Sequence, residues 1–161
     1  MKKLFSWALV VALALCVSVP SYAQETIISQ KAQSTSVTTE NLGNGFTVET
    51  KTTIFNSATA ALVTFSTRSA TRTKTYKANG STVATVTLQA SFGYDGSSAW
   101  VISKSASHST VSGWSYGSES LKAYKDTASL SSTLTQWSGV IPIQTVDVDI
   151  SLTCSPSGTI S

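Results

Sequence analysis

After the first 23 residues almost every segment of the sequence shows period-two alternation, with Thr, Val and Ser prominent. In "VATVTLQASF" the apolar set is Ala84, Val86, Leu88, Ala90 and Phe92, with Thr85, Thr87, Gln89 and Ser91 between them. In "FTVETKTTI" it is Phe46, Val48 and Ile54, with Glu49 and Lys51 opposite. In "TVDVDISLTC" it is Val146, Val148, Ile150, Leu152 and Cys154, against Thr145, Asp147, Asp149, Ser151 and Thr153. A period of two belongs to strands, and no stretch sustains the helical period over ten residues. A strand that is apolar on one side needs a second layer to cover it. The expectation is an all-β protein, an antiparallel β-sandwich of immunoglobulin-like architecture with about seven short strands.

Turn residues divide the strands. Asn79-Gly80 is the clearest hairpin signal, because a two-residue type I′ turn needs positive φ at both centres. With that loop, Thr75 faces Ala84, Thr73 faces Val86 and Thr71 faces Leu88. Arg72, Lys74 and Tyr76 then lie on the other face. At Asp95-Gly96 a two-residue loop sends Ala99 and Val101 to the core and Trp100 outward, and a loop one residue longer reverses this. In the last hairpin a three-residue loop, Ser138 to Val140, pairs Leu130 with Val148 and Ser132 with Val146. Residues 24–44 read as a polar arm or a hairpin strand turning at "NLGNG". Residues 56–66 are ambiguous between helix and strand. Residues 112–126 read as a long connection or an irregular strand.

The first 23 residues have the layout of a secretory signal: Lys2 and Lys3, an apolar run from Leu4 to Val19, Pro20, then Ser21-Tyr22-Ala23. Cleavage after Ala23 is expected. Cys16 follows Leu15 rather than a small residue and sits inside the apolar run, so a lipid anchor is not expected. The 161 residues less these 23 leave 138, enough for one sandwich domain over residues 45–161. Without Lys2 and Lys3, the chain's 11 basic residues become 9, against 8 acidic ones. So few charges, so evenly balanced, give no electrostatic footprint for nucleic acid or for an anionic membrane. Cys154 is then the one cysteine left, so no internal disulfide is expected. The expected localisation is extracellular, with no stable membrane anchor.

Several residues carry chemistry in principle. Cys154 continues the apolar face of its strand, which favours a buried small hydrophobe over a nucleophile. Asp147 and Asp149 share a face with Cα atoms roughly 6.6 Å apart. That spacing suits a glycosidic acid pair or a calcium site, but also a solvated strand face. Gly113–Gly117, "GWSYG", matches the nucleophile-elbow pattern around Ser115, yet no helix follows and His108 precedes the serine. His108 itself reads as a polar loop residue. Arg68, Arg72, Lys74 and Lys77 read as the solvated lysines and arginines of an edge strand, with contact to an anionic wall polymer as the rival. Trp100, Trp114, Tyr116, Tyr124 and Trp137 stand among Ser, Thr and Gly; they are either lids on the core or a stacking surface for sugars or a protein partner. Trp114, Tyr116 and Trp137 lie beside expected loops and are the candidate ligand-binding residues. No catalytic constellation and no cofactor or metal site is expected.

"LQASFGYDGSSAW", "SHSTVSGWSYGSES" and "VDISLTCSPSGTIS" together resemble an uncharacterised group of small secreted β proteins of Gram-positive bacteria, often from gut communities. The group shows a T-F-x-Y-x-G turn and an L-T-C-S-x-x-G-x-x-S tail. The likeness spans roughly Thr71 to Ser161. It implies export and a β fold and brings no catalytic residue. The functional expectation is an extracellular binding module for a glycan, a cell-envelope polymer or another protein. The alternatives are a secreted hydrolase using the aspartate pair and a self-assembling or toxic β protein.

Overall fold

A computed structural model describes residues 32–56 and 65–161. Eight strands follow in order: β1 (Ala32–Gly43), β2 (Phe46–Asn56), β3 (Ser66–Ala78), β4 (Ser81–Tyr94), β5 (Ala99–Thr110), β6 (Trp114–Tyr124), β7 (Thr127–Ser138) and β8 (Ile141–Thr153). The first five form one antiparallel sheet in chain order, and the last three form a second. The apolar faces of the two sheets meet as an antiparallel β-sandwich. Within each sheet every strand pairs with its sequence neighbour, so the path is a meander. The likeness to immunoglobulin domains is one of layers, since those domains connect by Greek keys. The signal-like segment, residues 24–31 and most of residues 56–66 lie outside the described residues. Residues 32–43 are a full sheet strand, and residues 114–124 form β6, bulged near Ser118.

The core is built from the alternating apolar sets. Leu88, Phe92, Leu130, Leu134, Val148 and Leu152 are all fully enclosed, as is Cys154. Each such side chain contributes about 1.5–3 kcal/mol by leaving water. Trp114 closes the sandwich at one end, stacked on Phe46 with ring centroids 5.6 Å apart.

Three hairpins show how a bulge corrects the parity of a turn. Asn79 and Gly80 do form a two-residue turn, with Ala78 opposite Ser81 and Lys77 opposite Thr82. The ladder then slips by one residue at Val83, so Tyr76 faces Ala84, Lys74 faces Val86 and Arg72 faces Leu88. The pairing expected from a regular ladder (Thr75, Thr73 and Thr71 with those partners) is overturned. The bulge puts the bulky Tyr76 into the core and leaves the threonines on the outer face. In the last hairpin the loop is two residues, with Ser138 opposite Ile141, rather than three. A slip at Ile143 restores the expected parity but moves the partners by two: Leu130 faces Ile150 and Ser132 faces Val148. At the third, Phe92 faces Val101 and Gly93 faces Trp100, so Ala99 and Val101 turn to the core. Trp100 lies outside, its ring in the space a side chain at Gly93 would need, edge-on to Phe65 at 5.2 Å.

The C-terminal tail is fastened to the same end of the sandwich as the β4–β5 turn. Cys154 N–H donates to Asp126 O at 3.0 Å, and Gly96 N–H to Pro156 O at 3.0 Å. Arg68 donates to the Gly158 carbonyl. Gly158 has φ +82°, and a Cβ there would collide with the Tyr94 ring. Tyr94 belongs to "SFGYDG" and Gly158 to "LTCSPSG", so the two most recognisable segments of the sequence pack on each other. Gly158→Ala should therefore destabilise the protein by about 1–3 kcal/mol, and Leu130→Ala by about 2–5 kcal/mol. Urea titrations of the two variants against the parent would measure both losses.

Candidate functional site

The slip at Val83 has a second effect. It turns Arg72 and Lys74 inward with Tyr76, onto the face of β3 that meets the smaller sheet. The basic residues thus do not form one solvated edge stripe. β3 lies inside its sheet, Arg72 and Lys74 face inward, and Lys77 faces outward to pair with Glu49 at 3.1 Å. The smaller sheet has three strands against five, and its edge strand β8 packs across β3. Although Phe46 and Val48 nearer the β1–β2 turn belong to the core, no described residue covers the inner faces of β1 and β2 beyond that edge, toward Ser36–Thr38 and Thr50–Thr52. Their inward side chains there are hydroxyls rather than aliphatics: Ser36 and Thr38 on β1, Thr50 and Thr52 on β2.

The result is an open groove of about 410 Å³ between the overhang of β1–β2 and the edge of β8. Arg72 and Lys74 form its floor, and Asp149, Ile150 and Ser151 form the β8 wall. Arg72 is held from both sides. Its Nε donates to Thr52 Oγ1 at 2.8 Å and its Nη1 to the Ser151 carbonyl at 2.6 Å. Burial lowers the Arg72 pKa from its ordinary value; a guanidinium so placed is still charged at neutral pH. Lys74 Nζ donates to none of the described residues. In an antiparallel strand alternate residues turn both backbone groups to the same side. Thr153 exchanges two backbone hydrogen bonds with Ser161 on the side away from β7, each 3.0 Å. Ser151, Asp149 and Asp147 therefore turn their backbone groups to that same free edge.

The aromatic candidates are divided by the fold. Trp114 is only 9% exposed and belongs to the core. Tyr116 is half-buried on the inward side, stacked on His108 at 3.8 Å, with its hydroxyl donating to Glu119 at 2.8 Å. Trp137 is exposed near the tip of the β7–β8 hairpin, and its Nε1 donates to Ser115 Oγ at 2.8 Å. These three do not make one stacking surface. Adjacent strand residues alternate faces, and Trp114 and Tyr116 share the inward one while Ser115 and its partner Trp137 lie on the other.

Ser115 sits within a strand, not at a strand-to-helix elbow. His108 is a strand residue on β5, not a loop residue. Asp147 and Asp149 are both exposed on β8, and only Asp149 lines the groove. Cys154 is enclosed, and burial pushes its thiol above the ordinary value, which leaves it a poor nucleophile. Among the described residues no three of His, Cys, Asp and Glu stand together as a metal site. No family model matches the chain, and no curated protein or solved structure matches it.

Tyr76 borders this region on the core side. Burial pushes its phenol well above the ordinary value, and the charges of Asp149 and Glu40 add to the effect. The folded protein therefore keeps this proton at pH values where the unfolded chain releases it. The contribution is intact below pH about 10 and is lost as pH rises beyond that, at about 1.4 kcal/mol per pH unit. Tyr76→Phe should flatten the alkaline fall in stability, as read from urea midpoints at pH about 9 and about 11.

Proposed function

We propose that this protein is an exported binding module that holds an extended, polar, anionic polymer of the cell envelope in the groove between β8 and the β1–β2 overhang. The observation that carries the reading is the inward placement of Lys74 and Arg72 on a hydroxyl-lined floor. Cations set against a sandwich interior cost desolvation, and apolar residues there would serve packing better. Arg72 is satisfied within the protein and acts as a fixed brace. Lys74 is left to meet a negative group, and Ser36, Thr38 and Thr50 offer hydroxyls to a chain lying along β1. A polymer that carries both hydroxyls and negative charges matches an open, hydroxyl-lined groove with Lys74 and Arg72 on its floor.

Binding through the groove rather than through aromatics has a direct test. The protein should sediment with insoluble cell wall that carries its anionic polymer and not with wall stripped of it. Lys74→Glu should weaken that binding by about tenfold, the usual value of a charge-assisted hydrogen bond, and added salt should weaken it in the parent. Trp137→Ala should leave it unchanged. Equal binding by the Lys74 variant would end the reading.

A second reading, self-assembly by strand addition, is favoured by a separate observation. Each sheet has two edge strands, β1 and β5 in one and β6 and β8 in the other; among the described residues β1 pairs with no further strand, and β8 pairs on its outer side only at Thr153, with Ser161. β1 is exposed along its whole length, and Glu40 is the only charge on it. Such edges pair readily with another chain. Light scattering separates the two readings: a concentration-dependent mass favours assembly, and a fixed monomer mass favours the polymer.

A further inference from the structure

Four turns meet at one end of the sandwich. Hydrogen bonds tie them together: Asn79 N–H to Gly45 O at 2.8 Å, Val111 N–H to Val83 O at 3.0 Å, and Trp137 N–H to Gly113 O at 2.8 Å. The segments involved, 42–46, 78–83, 109–114 and 136–146, contain no Asp, Glu, Lys or Arg. The opposite end carries Asp95, Lys125 and Asp126 in its turns. The uncharged end is also where exposed apolar side chains gather. Leu42, Val111, Trp137, Val140, Ile141 and Ile143 are there, six of the nine large hydrophobics that the described residues expose. Scattered exposed apolar residues need no explanation, but a set this concentrated on a charge-free surface marks a contact with something apolar.

The shape of this end selects the occupant. The β7–β8 hairpin stands proud of the sandwich, with every residue from 138 to 145 exposed and Val140 at 89%. Four of these apolar residues sit on the projecting β7–β8 hairpin, with Leu42 near the end of β1 and Val111 in the turn after β5 standing apart from it. A protein partner would need a pocket shaped to each projection; a fluid hydrocarbon layer needs none. Trp137 lies just behind the aliphatic tip, with its ring edge exposed and its N–H already satisfied by Ser115. An amphipathic ring set behind aliphatics is the arrangement favoured at the boundary between headgroups and acyl chains. We infer that the end formed by these four turns dips into the surface of a lipid bilayer, led by Val140 and Ile141. The lack of charge fits a zwitterionic surface as well as an anionic one. Among the described residues the two sheets are not closed into a barrel, and open sheet edges do not enter a hydrocarbon core, so the contact of this end is shallow and reversible. This inference does not depend on the groove.

Co-sedimentation with phosphatidylcholine vesicles, and quenching of tryptophan fluorescence by brominated phosphatidylcholine, test it. The parent should bind and be quenched. Val140→Asp with Ile141→Asp should weaken binding at least about tenfold, with an unchanged thermal melt because both residues are exposed. Val37→Asp with Ile102→Asp, the same charge change away from this end, should bind like the parent. Trp137→Phe should bind with reduced quenching, the remainder coming from Trp114 at the same end. No vesicle binding by the parent, or equal binding by the Val140/Ile141 variant, would each overturn the inference. So would a lipid-free oligomer that the Val140/Ile141 variant dissolves, since that would assign the apolar end to a second copy of the chain.

Discussion

One extra residue at Val83 decides what β3 presents to the rest of the molecule. Without it, the two-residue turn at Asn79-Gly80 would place Thr71, Thr73 and Thr75 on the inner face. Tyr76, Lys74 and Arg72 would then stand in solvent. With it, Tyr76 fills the core beside Phe46, and the two cations are carried inward by the same half-turn of the strand. Burial of the aromatic ring is favourable, the inward cations cost desolvation, and Arg72 recovers part of that cost through Thr52 and the Ser151 carbonyl. The groove is therefore a consequence of how the core is packed, not an addition to it.

The second determinant is the mismatch of five strands against three. A smaller sheet can cover only part of a larger one. The chain adapts its side chains to that limit. Where the smaller sheet covers, the inward residues of the larger one include Phe46, Val48, Val86, Leu88 and Phe92; at the groove they are Ser36, Thr38, Thr50 and Thr52. β8 is left as a bare edge beside this polar strip, and Ser161 already occupies its last position. A polar groove, a free strand edge and an uncharged apolar end thus lie on different parts of one small sandwich.

Much of the fold was legible in the sequence. Period-two alternation gave the strands and the two-layer arrangement, and Asn-Gly and Asp-Gly gave two of the turns. Cys154 read as a core residue because its alternation with Ile150 and Leu152 is unbroken. What escaped was the effect of single bulged residues. Val83 stands in "STVATVTL", where it looks like one more member of a regular strand, and no compositional signal marks it as the extra residue. The sequence reading of the face of Arg72 and Lys74 is wrong for that reason, and nothing in the sequence pointed to the groove. Trp114 and Trp137 share a polar, glycine-rich context in sequence; only the register of β6 with β7 separates the buried ring from the exposed one. The apolar end was hidden for another reason. Its residues lie in three segments distant in sequence, one each in 42–46 and 109–114 and four in 136–146.

The register of β3 against β4 is the point on which the account turns, and backbone NMR measures it directly. Cross-strand contacts between Tyr76 and Ala84, Lys74 and Val86, and Arg72 and Leu88 are the expected result. Contacts of Thr75 with Ala84 and Thr73 with Val86 would contradict it: the cations would then face solvent, and the groove would lose its floor.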